Sequence, residues 1–170
     1  MARHYTPLRY PGGKQKVAPF IAELIEVNGL AGCDYVEPYA GGAGVALDLL
    51  FSGMASKIHL NDACTSLYAF WWSVLNATDE FCRRITEIPL TVEEWRRQRD
   101  ILRHEREHSP LEVGFSFFYL NRCNRSGILL AGPIGGFQQT GEWKIDARFP
   151  RAELIRRIGM IGEKRNSIIV

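Results

Sequence analysis

The run Val36-Glu37-Pro38-Tyr39-Ala40-Gly41-Gly42-Ala43-Gly44 constrains this chain more than any other stretch. A short strand over Asp34 to Tyr39 runs into a glycine cluster, and a helical pattern resumes over 43–52. Lys57 to Asn61 then alternates as a second strand and ends at Asp62. Strand, glycine turn, helix, strand is a β-α-β unit with a parallel strand pair, so the fold class is α/β. Glycines at such a turn let a ligand approach the backbone beside a helix N-terminus. A carboxylate at Asp62, at the end of the second strand, can accept both ribose hydroxyl hydrogen bonds of an adenosine-containing cofactor. A dinucleotide fingerprint needs a third glycine where Leu47 stands. A tight structural turn is the competing reading.

The remaining elements follow from periodicity. Val17, Phe20, Ile21, Leu24 and Ile25 place one apolar face on a helix over 16–28, with Pro19 in its first turn and Asn28-Gly29 at its end. An aromatic-rich helix is expected over 63–76, and further helices over 79–88 and 91–107. The last of these opens on Thr91 with Glu94 three residues on. The helix over 110–122 is apolar nearly all round, which implies burial. Residues 124–149 read as loops, 150–164 as a basic helix, and Ser167 to Val170 as the start of an apolar strand.

At 170 residues, 46% hydrophobic and 24% charged, the chain has the composition of one ordinary globular domain. No apolar run approaches the ~18 residues of a membrane span, and no signal-peptide pattern opens the sequence. Neither a membrane partner nor a secretory route is expected. Cys33, Cys64, Cys82 and Cys123 form no C-x-x-C pair, which argues against a zinc site and for a reducing cytoplasm. The net charge of +2 conceals an asymmetry. Residues 1–90 carry 7 Lys/Arg against 9 Asp/Glu, and residues 91–170 carry 14 against 10, twelve of the 14 being arginine. An arginine-rich half is either a nucleic-acid footprint or a solvated helix face.

Gly12-Gly13-Lys14 is not a P-loop, since Leu8 and Gln15 stand where glycine and Ser/Thr are required. His104-Glu105-Arg106-Glu107-His108 matches H-E-x-x-H in form only. It is charged all round, no third histidine follows, and Pro110 ends any helix there, so no metal is expected. Asn121-Arg122-Cys123-Asn124-Arg125-Ser126-Gly127, followed by a loop reaching Lys144, offers donors for phosphates and base edges, although a generic polar loop has the same composition.

Taken together, these segments resemble the D12-class, Dam-like adenine-specific DNA methyltransferases. Leu8-Arg9-Tyr10-Pro11-Gly12-Gly13-Lys14 is similar to that family's N-terminal motif, Val36 to Gly44 to its glycine motif, and Asn61-Asp62 to its ribose-binding position. Phe118-Tyr119-Leu120-Asn121-Arg122 with Ser126-Gly127 is similar to its target-recognition segment. The resemblance implies a Rossmann-like methyltransferase sheet that binds S-adenosyl-L-methionine, with a helical insert that reads double-stranded DNA. On it, residues 1–77 are the cofactor part, 78–149 the recognition insert and 150–170 the return to the sheet. Tyr10 would stack on or pack against the cofactor. Lys14 would reach its carboxylate end or hydrogen-bond near the active site. Glu37, Pro38 and the Gly41, Gly42 and Gly44 backbone would border the methionine moiety, and Asp62 would hold the ribose. Asn121, Arg122, Asn124, Arg125, Ser126 and Lys144 would face DNA.

The family methylates adenine N6 through a D-P-P-Y-type motif after the base leaves the stack. No Pro-Pro pair occurs in these 170 residues. The sheet is therefore expected to be incomplete and no catalytic residue is assigned. The chain is therefore expected to be the N-terminal portion of such a methyltransferase, a fragment that does not methylate DNA alone, with a second chain carrying the C-terminal catalytic half as the lower-ranked explanation. A non-catalytic remnant that binds DNA or cofactor is the alternative.

Overall fold

A computed structural model describes residues 4–10 and 12–170. Met1 to Arg3, where the sequence was read for a signal peptide, and Pro11 of the N-terminal motif lie outside the described residues. Strand β1 (Cys33–Glu37) runs into the glycine turn, helix α2 (Gly44–Ser52) leaves it, and β2 (Ala55–Leu60) returns parallel to β1. Tyr35 lies opposite Ile58 and Glu37 opposite Leu60. Strand β3 (Ile168–Ile169) adds in parallel to the far side of β2, with Ile168 beside Ile58. The result is a small three-stranded parallel sheet in the order β1-β2-β3, with β2 central. The outer edge of β1 pairs with no strand among the described residues.

Helix α2 buries Val45, Ala46, Leu47, Leu49 and Leu50 against the sheet, which is why its sequence is apolar on nearly every side. Helix α1 (Ala18–Val27) follows a 3-10 turn over Lys14–Val17. Its expected apolar face divides. Ala18 and Ile25 are buried, Ile21 packs at the margin, and Val17, Phe20 and Leu24 are exposed. The cause is a shortage of partners, because α1 packs mainly on α2 and the turn before it.

The other helices build a second layer. Helices α3 (Thr65–Asn76) and α6 (Pro110–Cys123) cross so closely that a Cβ on Gly114 would lie 2.4 Å from the Ala69 carbonyl oxygen. Phe118 of α6 stacks on Phe70 of α3 at 5.9 Å and meets Phe81 of α4 (Thr78–Glu87) edge-on at 5.3 Å. A capping box between Ser109 and Glu112 starts α6. Helix α5 (Val92–Arg103) rests on α6, where Ser116 Oγ donates to Gln98 Oε1 at 2.5 Å. Helix α7 (Arg151–Glu163) packs on α4. Its Arg151 guanidinium donates to the Ile85, Thr86 and Ile88 carbonyls, satisfying the last turn of α4. One apolar core runs without a break from Leu47 and Ile58 of the sheet to Phe118 and Trp95 of the helices.

One expected helix ends early. The helix expected over 91–107 stops at Arg103, and Glu105–Glu107 form a separate 3-10 turn. Glu105 and Glu107 sit badly at the negative end of a helix dipole, which favours that break. His104 and His108 therefore share no helix face. Each instead lies near its own carboxylate, Asp100 at 3.6 Å and Glu112 at 3.8 Å.

Candidate functional site

The glycine turn is held from several sides. Gly41, at φ +50°, donates its N–H to Asp62 Oδ2 at 3.0 Å, and its carbonyl accepts from the indole of buried Trp71 at 3.1 Å. The other Asp62 oxygen accepts from the Cys64 N–H at 3.1 Å. Asn61 Nδ2 donates to the carbonyl of exposed Pro38 at 3.0 Å. Ala43 also adopts a left-handed conformation, at φ +48°, directly before α2.

Space at the glycines serves the chain's own N-terminal segment. A Cβ on Gly41 would lie 2.9 Å from Tyr10 Cε1, inside van der Waals contact. Gly42 faces the Tyr10 Cβ and Thr6 Oγ1, and Gly44 faces the Gln15 side chain. Residues 4–10 and 12–16 thus form a strap across the turn. The strap and the turn enclose a cleft of about 370 Å³ whose walls include Tyr10, Lys14, Glu37, Gly42, Gly44 and Arg157. That size suits a small-molecule site. Pro38 and Asp62 stand outside it, and Asp62 lines a second hollow with Leu60, Tyr68 and Trp71.

Glu37 carries the chemistry of the cleft. Its side chain is 4% exposed. Oε1 lies 3.0 Å from Lys14 Nζ, which also donates to the Tyr39 carbonyl at 3.0 Å. Oε2 is buried and has no hydrogen-bond partner. A buried acceptor left so costs about 1–3 kcal/mol until a donor reaches it. Burial, and then the Asp62 carboxylate, push the Tyr10 hydroxyl above its usual range, so it stays a neutral donor.

The recognition segment is placed less simply. Asn121, Arg122 and Asn124 are buried, and their polar atoms face protein. Asn121 pairs with both backbone groups of Arg9, accepting from its N–H at 2.8 Å and donating to its carbonyl at 2.8 Å. Arg122 Nε donates to the Arg148 carbonyl at 2.6 Å. Burial, then the Arg9 and Arg157 guanidiniums, pull the Arg122 pKa down to about 10. Asn124 Oδ1 accepts from Trp95 Nε1 at 2.6 Å, and its Nδ2 donates to the Ile128 and Leu129 carbonyls at 2.8 and 3.0 Å. Arg125, Ser126 and Lys144 are exposed. Phe137 is exposed against Trp95 beneath Arg96, and Trp143 is exposed beneath Arg148.

Arg9 and Gly127 stand inside the motifs quoted above, where no role was assigned to either. Arg9 Nη1 donates to the Asn124 carbonyl at 3.0 Å. Gly127, at φ +74°, lets the recognition segment close on the strap, since a Cβ there would lie 2.5 Å from the Arg9 carbonyl oxygen. The sequence signal was the Ser126-Gly127 pair, whose left-handed backbone sits at 55° and 74°. Tyr10, one residue after Arg9, reaches the glycine turn. Two adjacent residues therefore join the cleft to the recognition segment.

Among the described residues, no group of three or more His, Cys, Asp or Glu side chains could hold a metal ion, and no helix is long and apolar enough to cross a membrane. The family model described as D12 class N6 adenine-specific DNA methyltransferase matches residues 10–168. No curated protein matches the chain.

Proposed function

Because the chain belongs to the D12 class N6 adenine-specific DNA methyltransferase family, we propose that its cleft binds S-adenosyl-L-methionine and that the face around Arg125 binds duplex DNA. The partnerless Glu37 Oε2 carries this reading. The α-ammonium of S-adenosylmethionine is the donor it lacks, and the Lys14 ammonium beside it suits the α-carboxylate. The Tyr10 ring and the Gly41–Gly44 backbone form a wall shaped by absent side chains. Asp62 lies in the neighbouring hollow, which shares Ala40 with the cleft, and is available there to ribose hydroxyls, because a carboxylate accepts about four hydrogen bonds and two are already made. When bound, the cofactor supplies an electrophilic sulfonium methyl group.

The reading is tested by calorimetry with S-adenosylmethionine and with 5′-methylthioadenosine, which has no amino-acid moiety. Glu37→Gln is expected to weaken S-adenosylmethionine binding about tenfold or more, equivalent to ~1.5–3 kcal/mol for a charge-assisted bond. Methylthioadenosine affinity should hardly change. Equal loss for both ligands, or none for either, would overturn the assignment.

On the DNA side, exposed Arg125 has no carboxylate partner among the described residues, and Lys144 and Arg148 stand in the same loop region. Asn121, Arg122 and Asn124 act from behind, fixing the backbone that presents them. Arg125→Ala is expected to reduce the slope of log K against log salt by about one if it meets a phosphate. An unchanged slope in fluorescence anisotropy would remove that contact.

The D-P-P-Y-type motif expected to grip the adenine amine is not among these residues. We accordingly assign this polypeptide the binding of cofactor and DNA, with the amine contacts supplied elsewhere. A segment carrying that motif, in this protein or in a second chain, is what this reading calls for. A DNA substrate places this work in the cytoplasm on our reading.

A further inference from the structure

We propose that the Arg157 guanidinium of α7 holds the α-carboxylate of S-adenosylmethionine, as a second cation in addition to Lys14. This rests on the reading of the cleft as an S-adenosylmethionine site. Arg157 is far along the chain from the two motifs that build the cleft, and in sequence it is one charge among several on a basic helix. The fold brings it to the cleft wall.

Two nitrogens of this guanidinium are committed to protein. Nε donates to Glu153 Oε1 at 2.7 Å, one turn back on α7, and Nη1 donates to the Thr6 carbonyl of the strap at 2.8 Å. Nη2 meets no acceptor among the described residues. The side chain is 22% exposed, so its neighbours fix the group and leave it open on one side. Arg156, the residue before it, shares Glu153 but is 55% exposed and stands outside the cleft wall. Adjacent arginines with one carboxylate between them thus have different surroundings.

The charge around Arg157 calls for an anion. Lys14, Lys16 and Arg157 line the cleft against a single carboxylate, Glu37. Glu153 is shared with Arg156, so the arginine pair keeps an excess of positive charge. Arg122 feels that excess: burial, then Arg9 and Arg157, pull its pKa down to about 10. An incoming carboxylate relieves the crowding. Lys14 alone offers it little, because an ammonium has three donors and two already serve Glu37 and the Tyr39 carbonyl. A guanidinium adds a planar charged donor that suits a carboxylate. With Glu153 and Thr6 fixing it beforehand, Arg157 has little side-chain freedom left to lose on binding.

Calorimetry on the full 170-residue chain compares S-adenosylmethionine with its decarboxylated analogue, which keeps the ammonium, the sulfonium and the adenosine. The wild type should prefer S-adenosylmethionine. Arg157→Gln should narrow that preference by about tenfold, the size of one charge-assisted contact, and leave affinity for the analogue within about twofold of wild type. Arg157→Lys, which can still pair with Glu153, should fall between the two. Arg156→Gln removes the same charge from the same helix and should leave the preference as it was. Equal narrowing in Arg156→Gln would reduce the effect to the general field and overturn the contact. A preference unchanged in both Arg157 variants would overturn it as well. Equal loss for both ligands would leave Arg157 as a fastener of the strap only. A smaller slope of duplex binding against salt in Arg157→Gln, with the ligand preference intact, would give the guanidinium to a phosphate instead. Glu37→Gln has a different signature, since both ligands carry the ammonium and both should weaken. A wild-type chain that binds neither ligand would remove the cofactor reading and the contact with it.

Discussion

Asn124→Ala should lower the free energy of unfolding by about 2–4 kcal/mol and leave the loop after α6 open to proteolysis. The side chain is completely buried, and its amide serves three partners in three directions. Alanine leaves the Trp95 indole N–H inside the protein with nothing to donate to, at ~1–3 kcal/mol. It also frees two loop carbonyls that water can reach only if the loop opens. Asn124→Asp should be no milder, because it brings a carboxylate against the same two carbonyls. Urea unfolding and limited proteolysis over 125–132 measure the two effects. A change under ~0.5 kcal/mol with an uncut loop would contradict the loop-fixing role of Asn124.

Gly114→Ala should destabilise the protein by about 2–3 kcal/mol, against the trend of helix propensity. Alanine is favoured over glycine inside a helix by ~1 kcal/mol. At this position the added methyl would stand 2.4 Å from the Ala69 carbonyl oxygen and 2.7 Å from the Phe70 nitrogen. Helices α3 and α6 must move apart, loosening the Phe70–Phe118 stack. Gly159 in α7 is the internal control, since a Cβ there meets nothing. Gly159→Ala should raise the melting temperature while Gly114→Ala lowers it. Opposite signs for two identical substitutions separate packing from propensity, and two rises would show that the crossing can relax.

The elements that sequence reasoning located best are those defined within one turn of chain. The glycine run is bounded by β1 and α2 within a residue or two of expectation, and Thr91 caps α5 by accepting from the Glu94 N–H. Misreadings arose where the deciding partner lies far along the chain. Asn121 and Asn124 have the composition of surface donors. Their partners, Arg9 at a separation of 112 residues and Trp95 at 29, turn them inward. The partnerless oxygen of Glu37 was equally invisible, because it depends on burial and not on residue type. Helix α1 shows the converse, an apolar face that its periodicity suits for burial and that the available neighbours only half cover.

The adjacency of Arg9 and Tyr10 has a thermodynamic consequence. Arg9 is fastened to the recognition segment, and Tyr10 lies on the glycine turn. A ligand that shifts Tyr10 by a fraction of an ångström changes the free energy at which the other site is occupied. Linkage makes that influence equal in both directions, so whatever factor cofactor contributes to DNA affinity, DNA must contribute to cofactor affinity. On the proposed function, one peptide unit joins the two sites, and any coupling between methyl donor and duplex through it is the same in both directions.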